Sequence, residues 1–339
     1  MTSRRIRLAR VAASAGWRSI LFVVLLPLRS PAVSAVEPRF FFSGDGFIAL
    51  QHAHFDERLA VRYRDVDGRY DPEALARIER FFRSRDDGQS GEVSLRLIEL
   101  IDFVEDRYRP RRIVLISGYR SLELNQQLRA SGARVADASL HREGLAADLQ
   151  LDGVDLKRVW AGLRDLRVGG VGYYRQQAFL HLDTGRPRFW EPQTSRVKEK
   201  LSAGNARVFA RTDFDRYRAL DGALLRLHGV TALPLRIARH ARFGARTVTL
   251  EPLGDDVTLT DGCYVFDQPV AAYRFRIAAA PSTAHSPAPS SEKGVGEIPQ
   301  PIRVFTCAPR VAATPPEIES NPVELLLERR RREQMGDNE

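Results

Sequence analysis

Three residues of this chain carry donor atoms that could share one metal ion. His141 and Asp148 stand seven positions apart in the stretch SLHREGLAAD, and His181 follows in AFLHLDTG. Two imidazole nitrogens and a carboxylate oxygen suit zinc, and three protein ligands leave the fourth tetrahedral position for water or substrate. Such an open position belongs to a catalytic rather than a structural zinc. A His/Asp triple taken without context is more often three separately hydrogen-bonded residues. The elements that carry the three residues therefore decide between the two readings.

In LAADLQL, residues Leu145, Ala147, Leu149 and Leu151 alternate onto one face of a predicted strand, which turns Ala146, Asp148 and Gln150 to the other. A second strand is predicted over Ala178–Gly185. His181 and Asp183, two apart in it, share one surface. RRIVLISG (Arg111–Gly118) reads as a buried strand ending at a glycine turn, and GGVGYY (Gly169–Tyr174) reads as a glycine-permitted turn. Four helices are predicted around these segments. The first opens at Asp71 and Pro72 with Leu75, Ile78, Phe81 and Phe82 on one face; the second runs from Ser94 to about Arg107; the third follows Ser121; the fourth follows Asp155.

At 339 residues the chain has room for one sizeable core and a smaller second unit. With 43% hydrophobic and 28% charged residues it reads as an ordinary globular protein. The formal charge of +9 is mostly local. Six of the 52 Lys and Arg lie in residues 1–35, which hold no acid, and the remaining 46 against 43 Asp and Glu give +3. That balance gives no reason to expect a nucleic-acid partner. The apolar run Ile20–Leu28 after those arginines, followed by PAVSA, reads as an export signal cleaved before Val36. Ser3-Arg4-Arg5 resembles a twin-arginine signal, with Arg7 where an aromatic is usual. An uncleaved anchor is the alternative, although Pro27 interrupts the run; the only expected membrane contact is through this segment.

From about Ser195 the sequence becomes a series of short β-like stretches divided by turns, with a Pro/Ser/Ala-rich segment at 279–301 that reads as flexible. IRVFTCAPR is expected as a last strand and ELLLERRRREQ as a charged helix or loose tail. Cys263 and Cys307 either pair, as an oxidising compartment would allow, or remain two buried thiols.

SGYRS, SLHREGLAAD, GGVGYY and FLHLDTGRPRFW occur in that order. Together they resemble the zinc D-alanyl-D-alanine peptidase and hedgehog-like fold group, and more closely the YcbK-like murein endopeptidases of the bacterial envelope. The resemblance spans roughly Phe47–Trp190. It implies an α+β fold, a small antiparallel sheet with flanking helices carrying a zinc site, and peptidoglycan peptides as substrate. The family pattern falls on Ser139, His141, Gly144, Ala146 and Asp148, which makes His141 and Asp148 zinc ligands, with His181 the third. Arg120 matches the arginine that holds substrate or the developing oxyanion, a role that a cation beside a polarised carbonyl can fill. Ser139 and Tyr173 are expected to line the substrate. The implied organisation is an export signal over 1–35, a zinc peptidase domain over 36–192, a β-rich domain over 193–310 and a charged tail over 311–339, in a protein of the periplasm.

Where many enzymes of the wider group carry a glutamate as general base, three residues before the last ligand, this chain has Ala178. Asp183 is the nearest substitute, as base or as a partner that orients a ligand. His52 and His54 match no family ligand and read as groove-lining or solvated residues. Two rival activities remain: a carboxypeptidase trimming terminal D-alanine, and a wall-binding module that keeps the zinc fold without turnover.

Overall fold

Apolar and polar residues alternate along the chain in a way that builds two sheets. The computed structural model describes residues 38–130, 139–192, 208–230, 233–254, 257–267, 272–279, 298–307 and 316–326. The expected export signal, most of the Pro/Ser-rich segment and the end of the tail lie outside them. Val36–Glu339 form one compact unit with two hydrophobic cores.

The first sheet is built from β1 (Phe47–His52), β2 (Arg58–Arg62), β3 (Arg112–Ser117), β4 (Ala146–Asp152), β5 (Gly170–Tyr174), β6 (Phe179–Asp183) and β7 (Arg188–Trp190), in the order β2-β1-β3-β4-β6-β5-β7. Its helices are α1 (Pro72–Phe81), α2 (Leu95–Tyr108), α3 (Leu122–Ala130) and α4 (Leu156–Leu166). The helix starts follow the capping chemistry of the sequence. Asp71 accepts from the Glu73 amide at 2.9 Å, Asp155 from the Lys157 amide at 2.9 Å, and Ser121 Oγ from the Leu124 amide at 3.1 Å. Ile78, Leu97, Ile101, Val159 and Leu163 pack with Ile113, Leu149, Leu151, Leu180 and Leu182 in one core. One face of the sheet is thereby covered, and residues of opposite parity in β4 and β6 are left for the other face.

The sheet differs from the expected small antiparallel one. It has seven strands, and it is mixed, because β1 runs parallel to β3 and β5 parallel to β7. Gly169–Tyr174, expected as a turn, contributes a full strand in its place. His52 is neither solvated nor groove-lining. It is buried at the end of β1, where its Nδ1 accepts the amides of His54 at 3.0 Å and Phe55 at 3.3 Å.

The second lobe holds β8 (Phe209–Thr212), β9 (Arg216–Tyr217), β10 (Leu224–His228), β11 (Leu235–Phe243), β12 (Arg246–Pro252), β13 (Thr258–Thr260), β14 (Cys263–Phe266), β15 (Ala272–Ala279), β16 (Gln300–Thr306) and β17 (Glu317–Leu325). They form a ten-stranded sheet, so the second unit is not the minor partner in strand count. Residues 317–325, expected as tail, pair with β16. Cys263 and Cys307 are bonded to each other across 44 residues. Closing a loop of that length contributes roughly 4 kcal/mol through the unfolded chain's lost entropy.

Burial first, and then the neighbouring His54 and Arg83 side chains, push His52 down to about 4. A depressed imidazole binds fewer protons folded than unfolded, so stability is full above about 6.5 and falls as pH drops towards about 4, by roughly 1 to 3 kcal/mol. In His52→Asn the amide oxygen accepts the same two backbone amides without titrating. Urea denaturation from pH 7 to pH 4 should show a shallower loss for this variant than for the parent chain, and equal slopes would refute the role given to His52.

Candidate metal centre

Pairing register gathers the site into a row across the face of the first sheet that is turned away from its hydrophobic core. Asp148 of β4 lies opposite His181 of β6, His181 opposite Gly172 of β5, and Gly172 opposite Trp190 of β7. On the other side of Asp148 stands Ser117 of β3. The register shifts between Leu115 and Ser117, a bulge that brings Ser117 beside Asp148.

His141 reaches this row from a one-turn 3-10 helix, Leu140–Glu143. Ser139 precedes the turn in extended conformation, and Gly144 ends it at φ 64°. A Cβ on Gly144 would sit 1.8 Å from the Glu92 carbonyl oxygen, so both the backbone angle and the space demand glycine. The Arg120 amide donates to the His141 carbonyl at 3.2 Å and ties the turn to the end of β3.

Each imidazole has its tautomer set on the side away from the other. His141 Nδ1 lies 2.7 Å from the Gly118 carbonyl oxygen, and His181 Nε2 lies 2.9 Å from Asp183 Oδ2. A carbonyl or carboxylate oxygen only accepts, so each of these ring nitrogens carries the proton. The opposite nitrogens turn towards Asp148; His181 Nδ1 faces that carboxylate and shares a proton with it unless a cation takes the proton's place. His141 Nε2 and His181 Nδ1 are 3.2 Å apart, with Asp148 Oδ1 at 3.5 Å from the first and 2.9 Å from the second. Three donors on one tetrahedral zinc with bonds of about 2.0–2.1 Å stand about 3.3 Å apart. The donor set and its spacing fit that ion, and His141, Asp148 and His181 are buried or nearly so.

The two imidazoles are tuned in opposite directions. Burial and the Arg120 cation push His141 down to about 4, which keeps it neutral as a ligand must be. Burial alone would raise Asp148, but His141, His181 and Arg120 hold it well below the usual carboxylate range. His181 is drawn up against its burial by Asp148 and Asp183 on either side, so the ring holds its protons more firmly than an ordinary imidazole and a metal ion would have to displace the one on Nδ1.

Asp183 is fully buried. Its Oδ1 accepts from the amides of Gly170 at 3.1 Å and Gly185 at 2.8 Å and from Arg188 at 3.0 Å; its Oδ2 accepts from His181 and from Arg188 at 2.7 Å. Burial would raise this carboxyl, but Arg188 first and His181 next keep it well below its ordinary value. It sits behind His181, on the nitrogen remote from the donor point. Arg120 donates from Nε to Ser117 Oγ at 2.9 Å and from one terminal nitrogen to Asp148 Oδ2 at 2.6 Å, so it steadies the ligand carboxylate.

Tyr173 does not line this face. It pairs with Leu180 and packs on the core side against Trp160, with ring centroids 6.0 Å apart. Strand parity puts Tyr174 on the site face instead, where its hydroxyl accepts from Trp190 Nε1 at 3.2 Å. Ser139 is buried beside the turn, and its carbonyl accepts from the Arg142 amide. Ser117, Gly118, Arg188 and Trp190 went unassigned in the sequence reading. Trp190 lies with its ring 5.2 Å from that of His181, and only pairing with β5 reveals it.

The fold and donor set define a class, and comparison with known proteins agrees. The family model described as Peptidoglycan L,D-endopeptidase MepK matches residues 43–190, and the chain belongs to this family. It is 34% identical to the Peptidoglycan L,D-endopeptidase MepK of Escherichia coli K12 over 144 residues, 42% of this chain and 79% of the relative. It is 30% identical to the Probable peptidoglycan L,D-endopeptidase MepK of Haemophilus influenzae over 161 residues, 47% of this chain and 82% of that one. No solved structure matches the chain significantly.

Gly170 leaves no room for a side chain: a Cβ there would lie 2.2 Å from Asp183 Oδ2 and 2.7 Å from Arg188 Nη1. Gly170→Ala should therefore displace the Asp183 carboxylate and lower stability by about 1 to 3 kcal/mol, the usual cost of disturbing a buried charged network. Thermal unfolding checks this, and an unchanged midpoint would count against the packing described.

Proposed function

We propose that this chain is an exported zinc-dependent endopeptidase of the bacterial cell wall, which hydrolyses a peptide bond in the stem or cross-link peptides of peptidoglycan. The relatives' name suggests a bond between an L- and a D-residue. The observation that carries the proposal is the convergence of two imidazole nitrogens and one carboxylate oxygen on a single point, at spacings suited to zinc. An envelope setting agrees with the Cys263–Cys307 bond. Among the described residues no helix is long and apolar enough to cross a membrane.

Zinc held by His141, Asp148 and His181 would polarise the scissile carbonyl and bring the pKa of a water to about 7. The chain's own residues prepare that chemistry. Arg120 and Arg188 each pair with one carboxylate, so the two negative charges of the site are already balanced by protein cations. Arg120, with its terminal group beside the donors, adds positive charge where an oxyanion develops. Trp190 and Tyr174 form an aromatic edge next to His181 against which a peptide can lie. Asp183 orients His181 and keeps Nδ1 free for the metal, in preference to acting as general base, because all its hydrogen bonds point into protein.

The wall-binding reading retains one specific support, Ala178 at the position of the wider group's glutamate. The test uses residues 36–339. Elemental analysis should find one zinc per chain, and incubation with purified muropeptides should give cleaved products by mass, abolished by chelator. Absence of stoichiometric metal would overturn the zinc proposal; zinc without cleavage would favour the binding module. Asp183→Asn should weaken zinc binding by about 10- to 100-fold, with activity recovered in excess zinc. Full zinc content with turnover lowered about 100-fold or more would instead make Asp183 the base.

A further inference from the structure

The second lobe lies beyond the residues that the family model matches, yet one face of its sheet meets both segments that carry imidazole donors. In β8, Phe209 and Arg211 share a face; across the antiparallel register, His228 lies opposite Phe209, and Arg226 opposite Arg211. Arg274 of β15 lies opposite Arg226 and extends the same face. It presents cations and one imidazole to the peptidase lobe.

Two contacts from this face reach the metal centre. His228, buried and stacked on Phe209 with ring centroids 5.3 Å apart, donates from Nδ1 to Glu143 Oε2 at 2.5 Å. Glu143 ends the one-turn helix that holds His141. On the other side, Arg211 donates from Nε to the Thr184 carbonyl at 2.7 Å and from a terminal nitrogen to the Gly185 carbonyl. The Gly185 amide donates to Asp183 Oδ1, and Asp183 Oδ2 accepts from His181. A third contact braces the neighbouring wall, where Arg226 holds Glu92 at 2.8 Å and the Glu92 backbone packs on Gly144.

A single 3-10 turn has little cohesion of its own, and a metal site tolerates only about 0.5 Å of displacement in its donors. We infer that the β-rich lobe is a working part of the metal centre, with His228 and Arg211 as positioning residues that fix the His141 turn and the Thr184–Gly185 turn. The effect on metal affinity rests on the zinc reading above, whereas the effect on the turn itself does not.

Amide hydrogen exchange of the metal-free mature chain separates the two. In His228→Ala the Gly144 and Leu145 amides, bonded to His141 and Leu140 carbonyls, should exchange about 10-fold faster, while β4 amides keep their protection. His228→Gln, which keeps a donor for Glu143, should recover most of the difference. Chelator competition should show zinc bound about 10-fold more weakly in His228→Ala and in Arg211→Met, with Arg211→Lys intermediate. Leu250→Ala, a cavity in the second core, is the control that lowers stability and leaves turn exchange unchanged. Wild-type exchange in His228→Ala overturns the inference, as does equal acceleration by Leu250→Ala. Should His228→Ala not fold, Glu143→Ala reads the same contact, with the same outcomes for and against. If the parent chain binds no zinc, the exchange measurement still decides the brace and the zinc reading alone falls.

Discussion

Two hydrogen bonds made on the far sides of two imidazole rings govern this site. The Gly118 carbonyl fixes the proton on His141 Nδ1, and the Asp183 carboxylate fixes the proton on His181 Nε2. Without them each ring could turn its N–H inwards and satisfy Asp148 directly, and the three groups would close into an ordinary polar cluster. With them, the two inner nitrogens face each other at 3.2 Å beside the Asp148 carboxylate, where a metal cation would take the place of the proton that His181 shares with Asp148. Much of the surrounding fold keeps these two acceptors in place. The bulge in β3 positions the SGYRS turn, and Gly170 lets β5 come close enough to donate its amide to Asp183.

The charges around the donors follow from the same requirement. A buried carboxylate is costly unless paired, and Asp148 and Asp183 each have an arginine within 3 Å. The arginines come from loop and edge positions, Arg120 after β3 and Arg188 at the start of β7, so the strands themselves stay apolar towards the core.

Much of the site was legible because strand parity is a two-residue rule that needs no tertiary knowledge. It gave the shared face of His181 and Asp183 and turned Asp148 away from the core, the cross-strand register then joining the two, and side-chain capping gave the starts of α1, α3 and α4. Parity failed for Tyr173 because GGVGYY was read as a turn: glycines there serve close approach between strands rather than chain reversal, and once the segment is a strand, Tyr174 is the residue in phase with Gly172. The mixed sheet was hidden for a related reason, since β1 and β2 precede the first helix and β1 pairs at long range, and parallel, with β3. His52 carried no signal because its partners are backbone amides, which every sequence has. Residues 317–325 were read through the arginine run that follows them, although Ile318 and Val323 are buried core residues of β17.

The close meeting of Gly172 with the Trp190 indole has an evolutionary side. A Cβ on Gly172 would lie 2.6 Å from the ring, so the two positions share a single volume beside His181. A lineage cannot enlarge the one without shrinking or swinging out the other, and the first of two such steps meets a steric penalty. Among descendants of this sequence the pair should drift together or not at all, and a change at either position signals that the wall beside His181 has been rebuilt to a different shape.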